Sequence, residues 1–268
     1  MLDIVCPVCR LPLDRQAKVW SCANRHSFDV AREGYVNLLL AQQKNSPSPG
    51  DSADSLQARR AFLDGGHYAP MREAASALIG QIDAHRIVDI GCGEGYYTSA
   101  FAGPQREVAG IDIAKPAIQL AARRYRDMGW LVGSGAALPV ADRSLDLVTN
   151  LFTQLHVGEM RRALQPGGHV LVVTPGAAHL QALRAGLFET VQPHEPDKFV
   201  GEFSDGFELV HREELTVPIA LDATSLRQLL AMTPYVWKAR PERRAALEQA
   251  PGLQTQGHFV LLLLQRTV

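Results

Sequence analysis

The strongest constraint on the fold is an alternation of short apolar runs with amphipathic segments from about residue 86 to the C-terminus. Strands that alternate with helix-length segments are typical of βαβ units, which build a parallel sheet. The predicted strands are Ile87–Ile90, Glu107–Ile111, Trp130–Val132, Leu145–Asn150, His169–Thr174, Phe207–Val217 and His258–Gln265. We therefore expect residues 85–268 to form one α/β domain.

A glycine-rich turn follows the first predicted strand, where residues 88–95 read VDIGCGEG. Glycines at 91 and 93 let the backbone bend tightly and let a ligand approach it closely. The spacing is G-x-G-x-G, whereas the dinucleotide-binding pattern G-x-G-x-x-G would need glycine in place of Tyr96, which disfavours an NAD-type domain. Asp112 ends the second predicted strand, where a carboxylate can accept hydrogen bonds from ribose hydroxyls.

Four potential metal ligands lie close together near the N-terminus. Cys6 and Cys9 form a C-x2-C pair, Cys22 follows after twelve intervening residues, and His26 after three more. Zinc prefers four such ligands in a tetrahedron, and binding it can replace the apolar core that a short segment lacks. The alternatives are four ordinary buried residues or a redox C-x-x-C pair, but the βαβ context of the redox motif is absent here. We predict a structural zinc ion bound by these four residues.

The rest of the chain suggests a three-part organisation. Residues 1–40 hold the zinc-binding module, and residues 41–84 a linker, rich in Pro, Gly and Ser over 41–55, followed by helical segments. The net charge of −1 does not indicate a strongly basic nucleic-acid binder. No apolar run approaches the roughly 20 residues that span a bilayer. Because Cys6 and Cys9 stand where a signal peptide would be apolar, we expect a cytoplasmic protein without membrane contact.

These features together resemble the class I methyltransferase fold, which uses S-adenosylmethionine. The string LQPGG at 164–168, placed as a sharp turn between the fourth and fifth predicted strands, adds to the likeness. The resemblance implies a mostly parallel Rossmann-like sheet with its last strand antiparallel and helices on both faces. It also implies that Gly91 and Gly93 hold the amino-acid end of the cofactor, that Asp112 holds the ribose, and that Ser134 flanks the adenine.

Further strings narrow the resemblance and keep their order along nearly the whole chain. They are FDVAREGYVNLL at 28–39, GDS at 50–52, ARRAFL at 58–63, GHY at 66–68, TPG at 174–176, HL at 179–180 and MTP at 232–234 with Trp237. The chain is similar to the RlmA family of 23S rRNA guanine-N1 methyltransferases. This resemblance implies a guanine in a 23S rRNA hairpin as substrate, a zinc module that grips the RNA, and a homodimer. Carried over by motif, the cofactor contacts are Tyr68, Gly93, Glu94 and His179.

The acceptor site is less well defined by the sequence. Family members tend to carry an aromatic-Ala-Pro string after the fourth strand, whereas residues 150–156 here read NLFTQLH. From their place after that strand, Asn150 and Phe152 are our candidates for holding the target base. No residue stands out as a general base.

Contacts to RNA would come from basic residues mixed with aromatics. The candidates are Tyr235, the segment 237–244, and Arg10, Arg15, Lys18, Arg25 and Arg32 of the zinc module. A solvated helix face and ordinary surface charge would give the same composition. Two other functions stay open: a small-molecule methyltransferase with a structural zinc module, and a non-catalytic zinc protein that binds RNA.

Overall fold

The computed structural model describes residues 2–43 and 49–267. Residues 44–48 of the predicted linker lie outside the described residues, as do residues 1 and 268. Within the two described ranges, no helix has the length and apolar character needed to cross a bilayer.

The N-terminal region forms a small antiparallel sheet. Its three strands follow one another in space as in sequence: β1 (Asp14–Arg15), β2 (Val19–Ser21) and β3 (Ser27–Asp29). The next strand, β4 (Val36–Asn37), pairs in parallel with a strand of the central sheet instead. Residues predicted to form a separate module at 1–40 thus contribute to that sheet, and the division of the chain into domains stays a prediction.

The central sheet has eight strands, in the order β10-β11-β9-β8-β5-β6-β7-β4. The seven strands that follow β4 are β5 (Arg86–Ile90), β6 (Glu107–Asp112), β7 (Gly129–Val132), β8 (Leu145–Leu151), β9 (Leu164–Pro175), β10 (Phe207–Asp222) and β11 (Gly252–Arg266). All neighbours pair in parallel except β11, which is antiparallel to both β9 and β10. The predicted class, mostly parallel with the last strand antiparallel, is confirmed.

Helices connect most of these strands. In the part of the chain that the structure describes they are α1 (Ala53–Asp64), α2 (Ala69–Gly80), α3 (Lys115–Arg124), α4 (Val157–Ala163), α5 (Gln181–Leu187), α6 (Lys198–Glu202), α7 (Ala223–Met232) and α8 (Pro241–Glu248). Short 3-10 helices cover Ala41–Gln43, Thr98–Phe101 and Pro234–Lys238. Ser52 is the N-cap of helix α1, and its hydroxyl accepts a hydrogen bond from the Ser55 N–H at 3.2 Å. The helices predicted within 56–84 are confirmed as α1 and α2.

Apolar side chains alternate between the two faces of the central strands, and each face has its own core. In β11, Leu261 and Leu263 join a cluster that includes residues of α2, α5 and α7. Their neighbours Val260 and Leu262 join a second cluster on the other face. The period of two follows from the strand geometry. A sheet buried on both faces explains why these strands read as continuous apolar runs.

One predicted feature differs from the structure. The string LQPGG was expected to be a sharp turn before the fifth strand, but it lies inside β9. The pairing between β8 and β9 shifts there, since Leu145 pairs with Leu164 while Leu147 pairs with His169. The extra residues bulge out of the ladder, with Gly167 at φ +78°. The Pro and Gly residues that predicted a turn therefore form a β-bulge.

Candidate cofactor and acceptor site

A cavity of about 910 Å³ opens at the carboxyl ends of β5, β6, β8 and β9. Open α/β sheets bind their ligands at this edge. The predicted cofactor and acceptor residues all lie among its lining residues: Tyr68, Gly91, Gly93, Glu94, Asp112, Ser134, Asn150, Phe152 and His179. The fold therefore brings together residues that are more than 100 positions apart in the sequence.

The glycine turn has the backbone conformation that the sequence predicted. Gly91 and Gly93 lie at φ +68° and +56°, a region that residues with a Cβ rarely adopt. A Cβ on Gly91 would lie 2.6 Å from the side chain of Thr153, whereas one on Gly93 would meet only Arg59 at 3.5 Å. The backbone at 93 is therefore open to a ligand.

Asp112 is joined directly to this turn. Its Oδ2 accepts a hydrogen bond from the Gly93 N–H at 2.9 Å, and its Oδ1 accepts one from the Ala114 N–H at 2.8 Å. Burial raises the pKa of this carboxyl, and the two backbone hydrogen bonds oppose the rise. The carboxylate thus fixes the position of the turn while it lines the cavity beside it.

A second carboxyl group, which the sequence reasoning missed, lies beneath the turn. Asp89 is buried, and its two oxygens accept hydrogen bonds from Thr98 at 2.5 Å and Thr149 at 2.7 Å. Burial raises the pKa of Asp89 to about 6. The apolar pattern of β5 gave no sign of this role, because it depends on partners in two other elements.

Glu94 and Ser134 line the cavity on the sides of β5 and β7. Glu94 is buried, and burial raises its pKa while the positive charge of Arg59 lowers it. Arg59 itself lies 2.7 Å from a carboxylate oxygen of Asp51. The hydroxyl of Ser134 accepts a hydrogen bond from the Ala136 N–H at 3.2 Å, so it shapes the loop that follows β7.

Tyr68 and His179 form a buried pair at the end of β9. The Tyr68 hydroxyl lies 3.3 Å from His179 Nε2, and His179 Nδ1 lies 3.0 Å from the backbone carbonyl of His258. Burial lowers the pKa of His179 to about 3 and raises that of Tyr68. Both side chains are therefore neutral near pH 7. Phe259 packs edge-on against both rings.

The two acceptor candidates differ in their surroundings. Asn150 is buried, and its amide donates a hydrogen bond to the Gln154 carbonyl at 3.1 Å, so it holds the loop after β8. Phe152 is 40% exposed and has φ +59°. A bulky residue in this region is strained, and such strain clusters at functional sites. Its ring faces those of Tyr97 and Phe259, at centroid distances near 6 Å.

The far wall of the cavity holds two further polar residues. His194 Nε2 lies 2.8 Å from the hydroxyl of Tyr235, and both residues line the cavity. The sequence predicted only an RNA contact for Tyr235 and no role for His194. They lie 41 positions apart, and no local motif links them. Trp237, also on this wall, is 78% exposed.

The four predicted zinc ligands converge at the N-terminus, with ligand atoms all within 4.8 Å of one another. The Sγ atoms of Cys9 and Cys22 are 3.7 Å apart, and His26 Nδ1 lies 3.5 and 3.4 Å from the Sγ atoms of Cys6 and Cys22. Zn–S bonds of about 2.3 Å in a tetrahedron place sulfurs about 3.8 Å apart. The residues therefore fit a zinc ion, with Nδ1 as the histidine ligand.

Comparisons with known proteins give a match to two family models along the chain. A zinc-ribbon family model described as "RlmA, N-terminal" matches residues 4–47, and one described as "Methyltransferase domain" matches residues 88–172. Among solved structures, a geranyl diphosphate methyltransferase in complex with SAM has TM-score 0.51 and 16% identity, with 82% of this chain and 93% of that chain covered. The YcgJ protein of Bacillus subtilis has TM-score 0.50 and 20% identity, with 72% and 97% covered. These structural likenesses show the methyltransferase fold.

A closer relative is a 23S rRNA (guanine(748)-N(1))-methyltransferase from Streptomyces fradiae. It is 35% identical over 273 residues, covering 98% of this chain and 95% of the relative. The matched region therefore spans nearly the full length of both chains. The protein therefore belongs to the RlmA family of 23S rRNA (guanine-N1)-methyltransferases.

Proposed function

We propose that this protein transfers a methyl group from S-adenosylmethionine to N1 of a guanine in a hairpin of 23S rRNA. The observation that carries the proposal is one continuous cavity with two different halves. The glycine turn and Asp112, with Tyr68 and His179, form one half, and Phe152, His194, Tyr235 and Trp237 form the other. A cofactor and a base could therefore lie side by side. The names of the full-length relatives support guanine N1 as the acceptor.

The first half of the cavity fits the cofactor. The open backbone at Gly93 and the buried Glu94 would hold its amino-acid end, the Asp112 carboxylate its ribose, and the loop at Ser134 its adenine. Tyr68 and His179 would contact it from the β9 side. When bound, the cofactor supplies an electrophilic methyl group on a sulfonium, so the protein has mainly to position the acceptor.

The second half of the cavity fits an unstacked base. The exposed ring of Phe152 offers a stacking surface, and the buried Asn150 holds the backbone on which that ring sits. A hairpin loop can present a guanine with its Watson–Crick edge free, and N1 lies on that edge. If Asn150→Ala kept full turnover and normal cofactor binding, this assignment of Asn150 would be wrong.

The zinc ion has a structural role in this proposal. With three thiols and one imidazole in a closed tetrahedron, no coordination position stays open for chemistry. Basic residues of the module, among them Arg15, Lys18 and Arg25, would contact RNA phosphates. A homodimer in the cytoplasm is part of the proposal through family likeness alone, and sedimentation of the zinc-loaded protein would test the dimer.

The experiment uses purified, zinc-loaded protein with tritiated S-adenosylmethionine and large-subunit rRNA from cells that lack the gene. We expect label in the rRNA, recovered as N1-methylguanosine after digestion. A deproteinised extract of small molecules is offered as the alternative acceptor. Label in the small-molecule fraction instead of rRNA, or the absence of cofactor binding by calorimetry, would contradict the proposal.

A further inference from the structure

His194 is part of the cavity wall, beside His179. It lies between α5 and α6, half-buried, with its ring centroid 6.4 Å from that of His179. Its Nε2 lies 2.8 Å from the Tyr235 hydroxyl. Among the described residues, none makes a hydrogen bond to its Nδ1. One ring nitrogen is therefore held by a neighbour while the other is available to a ligand.

The chemistry at guanine N1 needs a proton acceptor. N1 carries a proton at neutral pH, and its electron pair becomes available only as that proton leaves. A base within hydrogen-bond reach of the acceptor would assist the transfer. The carboxyl groups that line the cavity lie elsewhere or are occupied: Asp112 bonds to the glycine turn, Glu94 lies beside that turn, and Asp51 pairs with Arg59.

The other histidines that line the cavity are less suited to the task. Both ring nitrogens of His179 have partners, Tyr68 on one side and the backbone of His258 on the other. His156 lies against Gly135 in the loop after β7, where a Cβ on that glycine would be 2.9 Å from its ring. It is therefore on the side that would hold the adenine. His194 is the remaining histidine, and it shares the wall with exposed aromatic side chains.

We propose that His194 accepts the N1 proton of the target guanine on Nδ1, with Tyr235 as a positioning residue that fixes the ring through Nε2. This inference rests on the proposed function and deepens it. As the N1–CH3 bond forms, the N1–H bond breaks, the imidazole takes the proton, and the electron pair of the S–CH3 bond stays on sulfur. The imidazolium then returns its proton to solvent through the exposed edge of the ring.

The electrostatic surroundings keep this imidazole neutral before the reaction. Burial, followed by the positive charges of Arg184 and Lys198, lowers the pKa of His194 to about 4. A second cavity also borders His194, and further charged or titratable groups line it, which are Glu195, Asp197, Arg212, Glu214 and His258. A weak base suffices because N1 becomes strongly acidic as it gains the methyl group.

The decisive test is chemical rescue of His194→Ala. The variant should lose about 100-fold or more in kcat, in line with the usual contribution of a general base, with little change in KM for RNA. Added imidazole should restore turnover, because the half-buried site opens to solvent, and substituted imidazoles should rescue in proportion to their basicity. Unchanged turnover in His194→Ala, or a loss that no imidazole repairs, would overturn the proposal. His211→Ala, at an exposed histidine on β10, is the matched control.

A second measurement does not depend on turnover. Nitrogen-15 NMR of labelled histidine in the wild-type protein, assigned with His194→Gln, should show the Nε2–H form with Nδ1 unprotonated. Tyr235→Phe should shift that signal and lower kcat more than it changes KM. A proton on Nδ1 in the free protein would contradict the proposal. Binding of S-adenosylhomocysteine and of the RNA by each variant confirms folding. If the wild-type protein methylates rRNA and the turnover of His194→Ala is unaffected, the role of His194 is refuted while the proposed function stands.

Discussion

Among single residues, Asp89 gives a prediction about pH. Its pKa is about 6 in the folded protein against 3.8 for an ordinary aspartate. Because the pKa is higher in the folded state, protonation of Asp89 stabilises the folded protein. This stabilisation is fully present below pH 3.8 and is lost as the pH rises through 6. A shift of about two units corresponds to about 3 kcal/mol. Asp89→Asn removes this titration, and its amide can still bond to both threonine hydroxyls, which donate or accept.

We therefore expect the free energy of unfolding of Asp89→Asn, relative to wild type, to rise by about 2 kcal/mol between pH 4 and pH 7, since part of the effect is already lost at pH 4. Urea unfolding across this range measures it. Asp127→Asn, at an exposed position before β7, should follow the wild-type curve. If the Asp89 variant and the wild type ran parallel at all pH values, Asp89 would not be titrating in this window.

Trp237 gives a prediction about RNA affinity. Its side chain is 78% exposed on the wall of the acceptor half, which is a costly place for a large apolar ring unless a partner covers it. Stacking of one base on an aromatic ring contributes about 1–3 kcal/mol, so Trp237→Ala should weaken binding of an rRNA hairpin about tenfold, while Trp237→Phe should retain most of it. Fluorescence anisotropy measures both. Val210→Ala, at another exposed apolar residue, serves as the control, and equal effects at 210 and 237 would contradict a specific contact.

The sequence pointed to the residues of the proposed cofactor half, but to only some residues of the proposed acceptor half. The glycine turn and Asp112 lie within one βαβ unit. Their backbone conformation and residue type can be inferred from the neighbouring sequence. His194 and Tyr235 meet only because the segments around α6 and after α7 pack against each other. Their polar contact leaves no periodicity or spacing in the sequence, so nothing in the chain marked them before the fold was known.

Among helices, strands and loops, the contact between the first zinc knuckle and the loop before β8 stands out. The guanidinium of Arg10 donates hydrogen bonds to the carbonyls of Leu138 at 2.8 Å and Val140 at 2.7 Å. Arg162 donates to the same two carbonyls from the other side. This loop begins with Ser134, the proposed adenine contact. The zinc knuckle therefore holds one wall of the proposed cofactor site.

We expect Arg10→Ala to keep its zinc but to bind S-adenosylmethionine about fivefold more weakly. The loss of affinity is modest because Arg162 still holds the loop. Calorimetry measures the affinity, and a metal assay measures the zinc. Arg25→Ala is a matched control, since Arg25 also follows a zinc-ligand cysteine and has a left-handed backbone, with φ +65° against +64° for Arg10. An equal loss of affinity in both variants would show that the effect comes from the module at large.

The sequence predicted the seven longer strands of the central sheet because most of them carry an apolar run of sufficient length. It did not predict β4, which has two residues, too few for a period of two to appear. It also placed a turn at 164–168, where Pro and Gly give the same signal for a turn and for a bulge. In both cases the structure depends on which strand the segment pairs with, and the local sequence pattern does not contain that information.

In the molecule as a whole, the zinc ribbon and the methyltransferase sheet share one hydrophobic core. Cys6 and Cys22 are buried in the same apolar cluster as Val88 and Val170 of the central sheet. Strand β4 adds a backbone connection by pairing with β7. The ribbon thus covers part of one face of the sheet. Two units joined by so continuous a core should unfold together.

Zinc removal tests this cooperativity. Without the metal the three thiols and the imidazole have no common partner, and the part of the core that they position is exposed, so a chelator should lower the melting temperature of the entire protein. Scanning calorimetry should still show a single transition, because the sheet loses its cover when the ribbon unfolds. Cys9→Ser, which removes a half-buried ligand, should reproduce the shift without any chelator. A second transition that remains at the original temperature after zinc removal would show that the sheet is stable on its own, and the ribbon would then be a separate domain that only touches it.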